Sequence, residues 1–257
     1  MQPQVPARRH VFQPSPTHAR DVSQAAVLFS NGLGFEPWVK RLLEASNFKG
    51  KHVVASDGVE PLKSAHDAHG HHHGHDHGSV DPHAWQRVGN VKVYVTNIAN
   101  ALCAVDAAGC AVYRQNEQAY QQKLDQLDAR IRTSWTTVPV EQRKVITSHD
   151  AFGYYAKEYQ VSFKAAQGIS TAAEATPQGI ARLVRQIQKE NIKALFVESI
   201  SDPRLIEQIG RETGVRPAGE LFSDSLSKVD GPAATYSELM LFNTNALVKA
   251  TGGTPTK

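Results

Sequence analysis

The chain has 257 residues, room for one large domain or two small ones, and its hydrophobic share of 40% is enough for a core. No apolar run approaches the roughly 18 residues needed to span a bilayer, and 28 Lys and Arg against 25 Asp and Glu leave a net charge of +3, too balanced for a dedicated nucleic-acid surface. Two cysteines exclude a disulfide scaffold and a four-cysteine zinc module.

After a Pro-rich opening (Pro3, Pro6, Pro14, Pro16), Ala25–Ser30 predicts a short buried strand that ends in the turn Asn31-Gly32-Leu33-Gly34. Pro37 opens a helix with Trp38, Val39, Leu42 and Leu43 on one face. His52–Ala55 predicts a second strand. The stretch that follows has no periodicity and is expected to be a surface loop, 64–80. From Asp81-Pro82-His83 onward, Val91, Val95, Ile98 and Leu102 repeat at helical spacing. Tyr113, Tyr120, Leu124, Leu127, Ile131 and Trp135 then mark the longest amphipathic pattern in the chain, about six turns with neither Gly nor Pro inside, a stiff rod with its aromatics in the core.

Strand and helix alternate from there on. Val145–Ser148 is a strand, and Asp150 is placed as the cap of a helix through Phe152, Tyr155 and Tyr159. Val161–Phe163 is a strand. Thr176-Pro177 is a cap with Pro at the first helical position, opening a helix to Ile192. Ala194–Glu198 is a buried strand, Pro203–Thr213 a helix stopped by Gly214, Glu220–Phe222 a last strand, and Tyr236–Val248 a closing helix. Repeated βα units imply parallel sheets with helices on both faces. The expected architecture is α/β: two lobes, each a mostly parallel sheet flanked by helices, joined by one long rigid helix. The lobes are 1–112 and 138–257, and the joining helix is 113–137.

Twelve histidines are the compositional outlier, and seven lie between His66 and His77. Outside that run, His10 precedes a rigid Pro-Ser-Pro turn, His83 opens a helix, and His149 stands at the carboxyl end of a strand, where open parallel sheets bind ligands. Asp224 ends the last strand of the second half. Three imidazoles and one carboxylate suit a tetrahedral, borderline-soft ion such as zinc. A lone histidine at a strand end is, however, more often a capping or core residue, and neither His-Glu-x-x-His nor Cys-x-x-Cys occurs. Residue logic alone leaves both open.

The motifs His10-Val-Phe-Gln-Pro-Ser-Pro, Asn31-Gly-Leu-Gly-Phe-Glu-Pro-Trp, Asp81-Pro-His-Ala-Trp, Ser148-His-Asp-Ala-Phe-Gly-Tyr and Asp224-Ser-Leu, with Tyr236 beyond, resemble the zinc solute-binding proteins of bacterial ABC importers, the ZnuA/AztC-like family. The resemblance runs from about His10 to Val248. It implies metal ligands at His10, His83, His149 and Asp224, a periplasmic location, a monomer, an ABC permease of a zinc importer as partner together with a periplasmic zinc metallochaperone, and no nucleic acid. Zn2+ would be the transported ligand. Manganese members tend to carry glutamate at the third position, so His149 favours zinc, since harder ions prefer oxygen donors. Family members place a signal peptide, a strand, a helix and a second strand before the first ligand histidine. Here nine residues precede His10 and they hold no apolar signal segment, so the N-terminal lobe is expected to be truncated.

Zinc members often carry a histidine-rich loop where this chain has His66, His69, His71, His72, His73, His75 and His77, and multi-site, weaker metal capture is the expected role. Glu198 is a candidate to orient a ligand histidine through its second ring nitrogen, or simply a capped strand end. Cys103 and Cys110 are either a disulfide in an oxidising periplasm or two buried thiols. His18 and His52 are expected to be surface or structural. The leading function is zinc capture between two lobes and delivery to a permease, with the long helix limiting motion to a small tilt. The alternatives are a zinc hydrolase with Glu198 or Asp150 as general base and an open coordination position, and a metal buffer in which the histidine-rich loop is the whole function.

Overall fold

In the computed structural model, residues 13–63, 80–168 and 176–256 are described. The N-terminal part opens with helix α1 (Pro16–Gln24), which the Pro-rich composition had hidden. Its signal was local: Ser15 caps the helix, Pro16 occupies the first turn, and the His18 side chain completes the capping box. Strand β1 (Val27–Ser30) crosses through α2 (Val39–Ala45) to β2 (Lys51–Val54), and the two strands pair in parallel. The strand expected at Ala25–Ser30 is present but not buried along its length. Only Ser30 is buried and Phe29 is exposed, because among the described residues this sheet has two strands. Lys63 and Val80 form an isolated antiparallel bridge.

Helices α3 (Val88–Val105) and α4 (Cys110–Trp135) form an antiparallel hairpin. It is held along its length by Lys92 to Asp125, Thr96 to Glu117, and Gln121 to the Lys92 carbonyl. At its tip Cys103 and Cys110 form a disulfide. The 26 residues of α4 extend about 39 Å at 1.5 Å per residue. Leu124, Leu127, Ile131 and Trp135, the periodic residues of its second half, are all buried. Tyr113 departs from the expected aromatic stripe. It is half-buried and its hydroxyl donates to Asp106 at the hairpin tip, because the first half of α4 packs on α3 alone.

The C-terminal part is a four-stranded, all-parallel sheet in the order β4 (Ser162–Ala165), β3 (Lys144–Thr147), β5 (Ala194–Glu198), β6 (Gly219–Leu221). Its connecting helices are α5 (Gly153–Tyr159), α6 (Pro177–Glu190) and α7 (Pro203–Thr213), and α8 (Tyr236–Ala250) closes the chain. Side chains alternate across the sheet, as a period of two requires. Val145, Ala194 and Phe196 face a core shared with α4, α5 and α8, whereas Ile146 and Leu195 face α6 and α7. Thr176 caps α6 and the left-handed Gly214 ends α7, as the sequence predicted. Asp150 does not cap α5. That helix starts at Gly153 after Phe152, with no side-chain cap.

Candidate metal centre

The strand order β4-β3-β5-β6 reverses direction of progress between β3 and β5, and a crevice opens at such a switch point beyond the carboxyl ends of the strands. His149 follows β3 there, and Glu198 is the last residue of β5. The Glu198 carboxylate grips His149 twice. Oε1 accepts the backbone N–H at 2.8 Å, and Oε2 lies 2.6 Å from the ring Nδ1. The Ser148 hydroxyl in turn accepts the Glu198 backbone N–H, which ties the two strand ends together. Both side chains are fully buried.

His83 repeats this device with local means. In Asp81-Pro82-His83 the Asp81 Oδ1 accepts the His83 backbone N–H at 2.9 Å and lies 2.7 Å from its ring Nδ1. The loop is propped from two directions. Asn31 donates to the Pro82 carbonyl, and the Asn31-Gly32 amides are themselves held by the Glu36 carboxylate, so the turn motif of the sequence serves to brace the His83 loop. Phe35 and Trp85 set their ring edges against the imidazole. From the other side the Tyr154 hydroxyl of α5 donates to the Asp81 carbonyl. That approach requires Gly153, since a Cβ there would lie 2.5 Å from Asp81 Oδ2.

With each Nδ1 held by a carboxylate, each Nε2 turns to a common point. His83 Nε2 lies 3.5 Å from Asp224 Oδ1, and His149 Nε2 lies 3.6 Å from Asp224 Oδ2. One ligand atom from each of the three residues falls within 4.8 Å of the others. The edge of a tetrahedron with bonds of ~2.05 Å is ~3.3 Å, and the two Nε2-to-carboxylate distances come close to it. Burial alone pushes the His149 pKa down, but the Glu198 and Asp224 carboxylates overcome it and hold the imidazole up to about 10.

The structure thus brings together His83, His149 and Asp224, with Glu198 behind His149. His10 and the loop histidines His66, His69, His71, His72, His73, His75 and His77 lie outside the described residues. His52 bonds Ser30 and His18 caps α1, both away from the centre. Sequence reasoning missed Asp81 as the partner of His83. An Asp two residues before a candidate ligand, held rigid by the intervening Pro82, was the available signal.

A family profile described as zinc-uptake complex component A, periplasmic (ZnuA), matches residues 4–250. The chain belongs to this family. Its members are solute-binding proteins, which does not favour the hydrolase alternative. The iron-binding protein YfeA of Yersinia pestis is 31% identical over 246 residues, covering 96% of this chain and 76% of that protein. The manganese ABC transporter substrate-binding lipoprotein PsaA of Streptococcus pneumoniae is 31% identical over 242 residues, covering 91% and 75%. Among solved structures, the periplasmic zinc binding protein TroA of Treponema pallidum superimposes with a TM-score of 0.86 at 27% identity, covering 96% of this chain and 88% of that one. The relatives name iron, manganese and zinc, so membership makes this a metal-binding protein of the ABC-importer class without choosing the metal.

Proposed function

We propose that this chain captures zinc at a centre formed by His83, His149 and Asp224, with His10 as the fourth ligand, and passes it to the permease of an ABC zinc importer. The observation that carries this reading is the paired arrangement at the two imidazoles. A buried carboxylate fixes the backbone and the Nδ1 of each, leaving both Nε2 atoms and the Asp224 oxygens around one point. Second-sphere carboxylates of this kind orient ligand histidines and raise their basicity. A nitrogen donor at 149 favours zinc over manganese, the harder ion, which prefers oxygen. Four protein ligands also close the coordination sphere, as a carrier requires.

In this reading 1–112 and 138–257 act as the two lobes and 113–137 as the stiff connection between them. The protein works as a periplasmic monomer, a zinc metallochaperone is a further partner, and the seven histidines from His66 to His77 capture zinc weakly at several sites. Competition titrations with zinc and with manganese test the assignment. The wild type should prefer zinc, His149→Glu should narrow the preference toward manganese, and His149→Ala should lose tight binding of both. A wild type that binds manganese as tightly as zinc overturns the zinc assignment. Tight zinc binding that disappears on deletion of 66–77 while surviving His149→Ala would instead make the loop the functional site.

A further inference from the structure

The segment that carries Asp224 is met by contacts from the opposite part of the molecule. The carbonyl of Ser223, the residue before it, accepts two side-chain N–H groups: Trp85 Nε1 at 3.0 Å and Gln86 Nε2 at 3.3 Å. Both donors sit in the short 3₁₀ turn Ala84–Gln86 that immediately follows His83. A third bond runs the other way, from the Tyr236 hydroxyl at the start of α8 to the Trp85 carbonyl at 2.9 Å. The segment carrying His83 and the segment carrying Asp224, about 140 residues apart in sequence, are thereby stapled, the two bonds to Ser223 falling within three residues of each candidate ligand.

Gln86 is an inefficient choice if stability were its purpose. It is fully buried, it gives one amide hydrogen to Ser223, and its Oε1 has no hydrogen-bond partner among the described residues. A buried amide that leaves its acceptor unmatched returns little net stability, and leucine would fill similar volume without that cost. What leucine does not supply is a directed N–H on the peptide next to Asp224. Trp85 combines both tasks, since its ring packs against the His83 ring with centres 5.2 Å apart while its N–H reaches Ser223.

We infer that Trp85 and Gln86 are positioning residues that set the Asp224 carboxylate against His83, so that this ligand pair is already assembled before a metal arrives. The inference rests on the metal centre proposed above. Preorganised donors bind without first spending free energy on ordering them, so loss of the staple should appear in the lifetime and geometry of the metal complex more than in the fold.

The test uses the full chain, with Trp85→Phe, Gln86→Leu, their double variant and Tyr236→Phe beside Asp224→Ala. Three quantities are read: the zinc dissociation constant, the rate of zinc loss to a chelator, and the visible absorption of the cobalt-loaded protein. The double variant should weaken zinc binding by about tenfold or more, as removal of outer-sphere partners does, with faster release. Its cobalt bands should shift, because the Asp224 oxygen moves in the coordination sphere. The single variants should shift the same bands by less, and they carry the test if the double variant does not fold. Zinc affinity, release rate and cobalt spectrum all at wild-type values would overturn the inference. Weaker binding with an unshifted cobalt spectrum would also overturn it, since the variants would then act through stability alone. Asp224→Ala keeps the two readings apart: if it binds zinc like the wild type, the metal centre itself is wrong, whereas if it loses zinc while the staple variants do not, only the positioning role fails.

Discussion

In the C-terminal half, four parallel strands are covered on both faces, and Val145, Ile146, Leu195 and Phe196 are each almost completely buried. In the N-terminal half, the two described strands leave Phe29 and Val54 more than a third exposed, and among the described residues the buried apolar cluster of Val59, Ala84 and Tyr154 is small. Tyr154 itself belongs to α5, from the other half. The candidate centre nevertheless draws its side chains from both regions. His149 and Asp224 stand directly on the large core, whereas His83 takes its rigidity from Asp81, from the braced turn at Asn31–Glu36, and from Tyr154 and Gly153. A ligand need not sit on a strong sheet if hydrogen bonds and close packing transmit rigidity from one that is strong.

The sharpest way to break this comparison is truncation in the two sheets. Phe196→Ala should cost about 3–5 kcal/mol through lost burial and a residual cavity, and Phe29→Ala should cost under about 1 kcal/mol. Denaturant unfolding of the metal-free protein reads both, and equal losses would dissolve the contrast. Next in size is the disulfide that pins the helical hairpin. Replacing Cys103 and Cys110 by serine releases a loop of sequence separation 7, worth about 2.5 kcal/mol in chain entropy. That corresponds to a fall of roughly 5–10 °C in Tm. Zinc affinity should be unchanged, since Cys103 lies about 22 Å along α3 from its first residue.

Smaller again is the effect of Glu198→Gln. An amide keeps the shape but loses the negative charge behind His149, and zinc affinity should fall about 10–100-fold with the fold retained. Isothermal titration against a competing chelator measures it, and an unchanged affinity would remove Glu198 from the centre. The smallest effect concerns an exposed cluster that ties the two halves together at the surface, where Arg87 and Arg132 both bond Glu158. Burial pushes the Glu158 pKa up, but the two guanidiniums more than reverse this and hold it below the usual carboxylate range. A depressed folded pKa means that this contribution is present above the unfolded value near 4.5 and is lost as pH falls through the folded one. Glu158→Gln should therefore lower stability by a fraction of a kcal/mol at neutral pH and flatten that part of the acid limb. Stability profiles of the two proteins that run parallel below pH 4.5 would contradict it.

Most of the helices and strands were legible because their signals are local: Thr176-Pro177 at a helix start, Gly214 at a helix stop, and a three-to-four spacing of apolar residues through α4. Two errors share one cause. Asp150 looks like a cap and Pro16 looks like a loop when judged by residue type alone. The Gln167–Gly168 segment bonds the backbone of Ser148 and Asp150 on either side of His149, and α5 begins only after the chain has passed the candidate centre. Ser15 caps a helix that composition concealed. Three of the four residues picked as ligands from motif resemblance do converge in space. The supporting residues Asp81, Trp85 and Gln86 were not picked out, since nothing in a linear pattern shows that a carbonyl near residue 223 will meet a side chain at residue 86.

By itself the sequence determined the order of elements, the parallel character of the sheets and the residue types able to hold a metal, because these follow from periodicity, turn chemistry and donor chemistry within a few neighbouring residues. Only the tertiary structure decided which donors face one another. The strand order places His149 beside Glu198 at the switch point, and three bonds across the molecule bring Asp224 to His83. Those pairings join residues from 49 to 151 positions apart, and their geometry is set by how the layers pack rather than by any local preference of the chain.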